Sequence, residues 1–120
     1  MTLPEAIRLG AMLKPQAFRT GVPGKLCTLE AAAEAAGLCN WSHTRHTWRE
    51  LDTDYEPCFV ANCPVPYERV LIELVYHLND YHRCTREAIA DWLESRESSN
   101  IQEVDRMQET LPVVNLQEVT

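Results

Sequence analysis

Two thiols and two imidazoles stand at a spacing that lets them gather around one metal ion. Cys58 and Cys63 are separated by four residues, His77 and His82 by another four, and thirteen lie between the pairs, giving C-x4-C-x13-H-x4-H. A knuckle turn presents two thiolates together, while two histidines about one helical turn apart, or across a helix end, complete a tetrahedron. The spacing nearly matches a Cys2His2 zinc pattern. Tyr67, four residues after Cys63, and Leu74, three before His77, stand where a zinc finger carries its small core. The expectation is a structural zinc ion held by Cys58, Cys63, His77 and His82. Such a set closes the coordination sphere and leaves no position for a catalytic water.

The same residues have plainer uses. His77 near a helix C-terminus is favoured by the helix dipole, the two cysteines serve as small buried hydrophobes, and His82 serves as an exposed turn residue. A rival ligand set, Cys39, His43 and His46, has C-x3-H-x2-H spacing, and its histidines can also join Cys58 or Cys63. The start, MTLPEAIRLGAML, has an early proline and a glutamate where a secretory signal wants basic charge. Cytoplasmic localisation is therefore expected. In that compartment five cysteines argue against a disulfide framework, because thiols stay reduced and an odd number cannot all pair.

The elements that must position these groups read as helices. Thr2-Leu3-Pro4-Glu5 fits a capping box, with Leu3, Ala6, Ile7, Gly10 and Met12 as an apolar stripe and Pro15 stopping the helix near Lys14. Thr28 is expected to cap an alanine-rich helix through Ala36, closed by Gly37 in the left-handed region with Leu38 in hydrophobic contact. Trp41, Trp48 and Leu51 suit a short helix carrying both indoles on one side. Pro66 is placed to open the central helix, in which Tyr67, Val70, Leu71, Leu74, Val75 and Leu78 form the core stripe until Asn79 and Asp80 end it. Thr85 then caps a helix burying Ile89, Trp92 and Leu93.

The expected fold is therefore mainly α: one small, zinc-stabilised helical domain over residues 1–97 with a central αα-hairpin over 66–96. A flexible, polar and acidic tail, or a weak helix, is expected over 98–120. At 120 residues, 45% apolar and 24% charged, the chain is of single-domain size and globular composition.

A longer motif bears on three of these ligands, while Cys58 rests on the spacing alone. Leu3 to Ala11, Pro15-Gln16, Cys27-Thr28-Leu29 with Ala31 to Gly37, and above all His77-Leu78-Asn79-Asp80-Tyr81-His82-Arg83-Cys84-Thr85-Arg86-Glu87 followed by Ile89-Ala90-Asp91-Trp92-Leu93, resemble a family of small uncharacterised bacterial and phage proteins. That family's pattern is similar to a C-P-x-C knuckle followed by H-L-N-D-x-H-x-W-T-R-E, and the resemblance covers roughly residues 2 to 95. Cys63, His77 and His82 carry over by motif. The chain departs where Pro66 replaces the second knuckle cysteine and where Cys84 replaces the tryptophan. Either Cys58 has taken over as the second thiolate, or the ion has been lost.

Charge narrows the partners. Residues 1–50 hold six Lys or Arg against four Asp or Glu, and residues 51–120 hold five against fourteen, within a chain of net charge −7. An acidic half repels the phosphate backbone, so direct nucleic-acid binding is disfavoured and a protein partner is expected. No apolar run approaches the ~20 residues of a membrane span. Chemistry is weakly signalled: Cys84 beside His82 or His77 is a conceivable nucleophilic pair without an orienting third group, and Asp80, Glu87 and Asp91 have capping or solvent roles. No catalytic residue and no organic cofactor site is assigned. The expected function is that of a non-enzymatic accessory or regulatory protein, plausibly phage-derived; the alternatives are a helix-turn-helix or zinc-finger regulator and a cysteine-dependent enzyme.

Overall fold

The computed structural model describes residues 1–19, 21–65 and 67–96, about half of them helical. Pro66 and the expected tail over 98–120 lie outside the described residues.

The first helix, α1 (Leu3–Ala11), starts as its sequence dictates. Thr2 N donates to Glu5 Oε1 at 2.8 Å and Glu5 N to Thr2 Oγ1 at 3.2 Å, which satisfies two orphan donors reciprocally. It ends at Ala11, earlier than the Lys14 expected from Pro15, so Met12 falls beyond the stripe and is 81% exposed. Leu3, Ala6, Ile7 and Gly10 are buried against α2 (Thr28–Ala35). The approach is closest at Gly10, where a Cβ would overlap the Ala31 carbonyl and stand 2.8 Å from the Ala31 Cβ. A side chain there is incompatible with the packing.

Thr28 does not cap α2: Cys27 occupies the cap position, and Thr28 is the first helical residue. At the other end Gly37 takes φ +71° and Leu38 N donates to Ala33 O at 2.9 Å, the left-handed closure expected there.

The segment with two tryptophans forms two helices instead of one. α3 (Trp41–Thr47) is capped by Asn40, whose Oδ1 accepts from His43 N at 2.9 Å, and the chain breaks at Trp48 before α4 (Glu50–Thr53). The break buries Trp48, whose indole N–H donates to Met1 O at 3.2 Å, and Leu51, while Trp41 stays 41% exposed. The two indoles thus do not share a buried face.

Two short strands follow, β1 (Tyr55–Glu56) and β2 (Arg69–Val70), paired antiparallel with Tyr55 opposite Val70 and Glu56 opposite Arg69. That pairing corrects the expected start of the central helix. Residues 69 and 70 take ladder bonds, Leu71 N donates to Asp54 O at 2.8 Å, and Tyr67 is 63% exposed, so α5 runs Leu71–Tyr76 and the hairpin expected from residue 66 begins at Leu71. Tyr67 accordingly does not join a finger-like core, whereas Leu74 is fully buried.

The last turn of α5 widens into a π-helical turn, His77–Tyr81, and after a reversal a helix over residues 86–96, α6, completes the unit. Thr85 caps it as expected, its Oγ1 accepting from Ala88 N at 3.1 Å. Leu71, Leu74, Val75 and Leu78 share one core with Ile89, Ala90 and Leu93 of α6 and with Leu3, Ile7, Leu29 and Leu51. Ion pairs tie down the C-terminal half of α6: Arg8 reaches Asp91 and Glu94, and Arg96 reaches Asp54 at 2.8 Å and Glu56 at 2.9 Å. Among the described residues no helix is long and apolar enough to cross a membrane.

Candidate metal centre

The knuckle between Cys58 and Cys63 closes through a turn. Cys63 N donates to Val60 O at 3.3 Å and Asn62 takes φ +63°, a left-handed geometry that asparagine tolerates better than most residues. The chain then passes through β2 into α5, whose C-terminal end faces the knuckle. In an α-helix two residues five apart point in different directions. The π-turn removes that obstacle: His82 N donates to His77 O at 3.2 Å, and the wider turn brings both rings to one side with centroids 4.6 Å apart.

Four ligand atoms converge as a result. Those of Cys58, Cys63, His77 and His82 all lie within 4.8 Å of one another. The Cys63 sulfur is 3.4 Å from His77 Nε2 and 3.4 Å from His82 Nε2. Cys63 is buried and the other three are half-buried. These four residues can hold a metal ion. The rival set is not gathered: Cys39, His43 and His46 are exposed, and the only such cluster among the described residues is the first one.

The surroundings favour neutral imidazole and disfavour free thiolate. Burial, then the positive charge of Arg69 and the neighbouring His82, pushes His77 below the ordinary histidine range. Burial raises the Cys58 thiol, and burial also raises that of Cys84. A cation bound between the sulfurs reverses the balance for its ligands. Arg69 itself is buried, with Nη2 donating to Val65 O at 2.9 Å and Nη1 without a partner among the described residues. Tyr81 stacks on the His77 ring at 5.2 Å with 12° between planes, which fixes the ring's orientation from its outer side.

The residue holding the π-turn in place is Asn79, expected from sequence to be only a helix terminator. It is fully buried. Its Oδ1 accepts from Gln16 Nε2 at 2.9 Å, Thr28 N at 3.1 Å and Thr28 Oγ1 at 2.7 Å, while Nδ2 donates to Ala17 O at 2.9 Å and to Asp80 Oδ1 at 2.6 Å. Gln16 also donates to Cys84 O at 2.8 Å. Arg86, six residues on from Asp80, buries its guanidinium against the end of α1, donating to Lys14 O at 2.8 Å, Leu26 O at 3.3 Å and Ala11 O at 3.4 Å. A sequence signal for Asn79 existed: Leu71, Val75 and Asn79 follow at i, i+4 and i+8, so the amide continues the buried stripe.

Burial shifts the half-buried Cys84 thiol upward, away from the reactive thiolate that a nucleophile needs. Asp91 is engaged by Arg8 and Asp80 by Asn79. Comparison with protein-family models, with curated proteins and with solved structures finds no match to this chain.

Proposed function

We propose that this protein is a small zinc-stabilised helical module that works by binding a protein partner and performs no chemistry of its own. The observation that carries the reading is the closed set of Cys58, Cys63, His77 and His82. A tetrahedral zinc with Zn–S of ~2.3 Å and Zn–N of ~2.0 Å sets sulfur-to-nitrogen edges of ~3.5 Å, and the two edges from Cys63 are 3.4 Å. Two soft sulfurs and two imidazoles favour zinc over magnesium or calcium. All four positions are filled by protein, as in structural rather than catalytic sites.

Within the motif resemblance, Cys58 is the second thiolate in place of the residue lost at position 66. The ion then pins the knuckle to the end of α5, and the domain presents its surface to a partner in the cytoplasm of its host, as an accessory or regulatory protein of bacterial or phage type. The acidic balance of residues 51–120 supports a protein partner over a nucleic acid.

The test is elemental analysis of protein purified without added metal. The wild type should carry one zinc per chain, Cys63→Ser and His77→Ala should carry none, and Cys27→Ser should keep it. Equal zinc in all four proteins overturns the ligand set. A pull-down from the native host then identifies the partner, and a salt-dependent gel shift on DNA overturns the protein-partner assignment.

A further inference from the structure

Away from the thiol–imidazole cluster, the break at Trp48 creates a second site. One side of the stretch formed by α3 and α4 lines a solvent-open cavity of about 520 Å³, within the ~300–1,000 Å³ typical of small-molecule pockets. Trp41, Arg45 and Arg49 line it at intervals of four, with His46 alongside and Asp52 opposite.

Each of these groups is set up for a different part of one ligand. The Arg45 guanidinium is held by Asp52, with Nε 3.0 Å from both carboxylate oxygens and Nη2 2.9 Å from Oδ1, so the donors left over are aimed away from that carboxylate. Asp52 cancels that charge. Arg49 is exposed, and its guanidinium has no carboxylate partner among the described residues, which leaves it as the net cation of the cavity. The Trp41 indole meets Tyr76 edge-on, at 6.3 Å and 63°, an arrangement that leaves a ring face uncovered by that neighbour. An uncovered indole beside a free guanidinium suits a planar ring that carries a negative charge.

We infer that the cavity along α3 and α4 binds a small aromatic anion of the nucleoside monophosphate type, with the base stacked on Trp41 and the phosphate on Arg49 and the open donors of Arg45. The occupant is a free small molecule and not a strand, because a chain of net charge −7 repels a polyanion along the rest of its surface.

Isothermal titration of the full, zinc-loaded chain with AMP, adenosine and inorganic phosphate tests the site. AMP should bind at one per chain, and adenosine and phosphate alone about tenfold or more weakly, since each keeps half of the recognition. Trp41→Ala and Arg49→Ala should each weaken AMP about tenfold, with zinc content and circular dichroism unchanged because both residues are exposed. Lys25→Ala, outside the cavity, should leave the affinity as it is. Absence of AMP binding, phosphate binding as tightly as AMP, AMP affinity unmoved by Arg49→Ala, or tighter binding of a short oligothymidylate overturns the proposal. The ligand series needs no variant, so it decides the matter even if a substitution misfolds.

Discussion

Thr28 Oγ1 donates to Asn79 Oδ1 at 2.7 Å, a bond that joins the first turn of α2 to the π-turn that brings His77 and His82 together. It is one of five side-chain hydrogen bonds that place the Asn79 amide, and it spans 51 positions of sequence. Asn79→Ala leaves the Thr28 N–H and hydroxyl, the Gln16 amide and the Ala17 carbonyl without this partner. A loss of about 2–4 kcal/mol in unfolding free energy is expected, read from urea denaturation. Because Asn79 lies between His77 and His82, the same variant should also bind added zinc less tightly, if the proposed site holds. A loss below about 0.5 kcal/mol, the level of an ordinary surface substitution, would show that the amide is not a structural hub.

Gly10→Ala should destabilise although alanine is the better helix former. The intrinsic gain is about 1 kcal/mol, but the new methyl group meets the Ala31 backbone, and forced separation of well-packed elements costs about 1–3 kcal/mol. Gly37→Ala provides the contrast. Nothing lies within 4 Å of a Cβ at Gly37, so its cost is conformational only, arising from φ +71°. Thermal midpoints of the two variants should fall with Gly10→Ala the lower.

Alkaline pH should weaken the fold through Cys27. Burial pushes its thiol from 9.0 up to about 12. Between those values the unfolded chain has lost the proton and the folded chain retains it, so the native state binds more protons and stability falls as pH rises. Stability is fully present below about pH 9 and declines from there toward 12. Tyr76, also raised to about 12 by burial, adds to the decline at its upper end. Thermal midpoints measured between pH 8 and 11 should drop more steeply in the wild type than in Cys27→Ala; parallel curves would assign the decline to other groups.

If the proposed ion joins the knuckle to the end of α5 through Cys58, Cys63, His77 and His82, its removal should be felt globally. Chelation at neutral pH is expected to lower the thermal midpoint by ~10 °C or more, in a chain where 1 kcal/mol corresponds to several degrees. Cys58→Ser should start from the lowered midpoint and show no further fall on chelation. A wild-type midpoint indifferent to chelator would dissociate the cluster from stability.

Local patterns were legible in the sequence. The Thr2–Glu5 capping box, the left-handed Gly37, the Thr85 cap, the stripe from Leu71 to Leu78 and the convergence of Cys58, Cys63, His77 and His82 depend on neighbours within a few residues or on a spacing that one turn can close. Tertiary structure alone decided that the central helix starts at Leu71, because β2 must pair with β1 before the helix begins. The stripe through Leu71 and Val75 pointed to burial of Asn79, but only the folded chain showed what its amide bonds, since its partners Gln16, Ala17 and Thr28 lie more than 50 residues away. The break at Trp48, which sends one indole inward and leaves the other exposed, likewise answers to the core and to Met1 rather than to helical period. The difference is physical: capping and amphipathic periodicity are satisfied within a turn or two of the backbone, whereas a buried amide or a strand edge is defined by groups that only folding brings within hydrogen-bond reach.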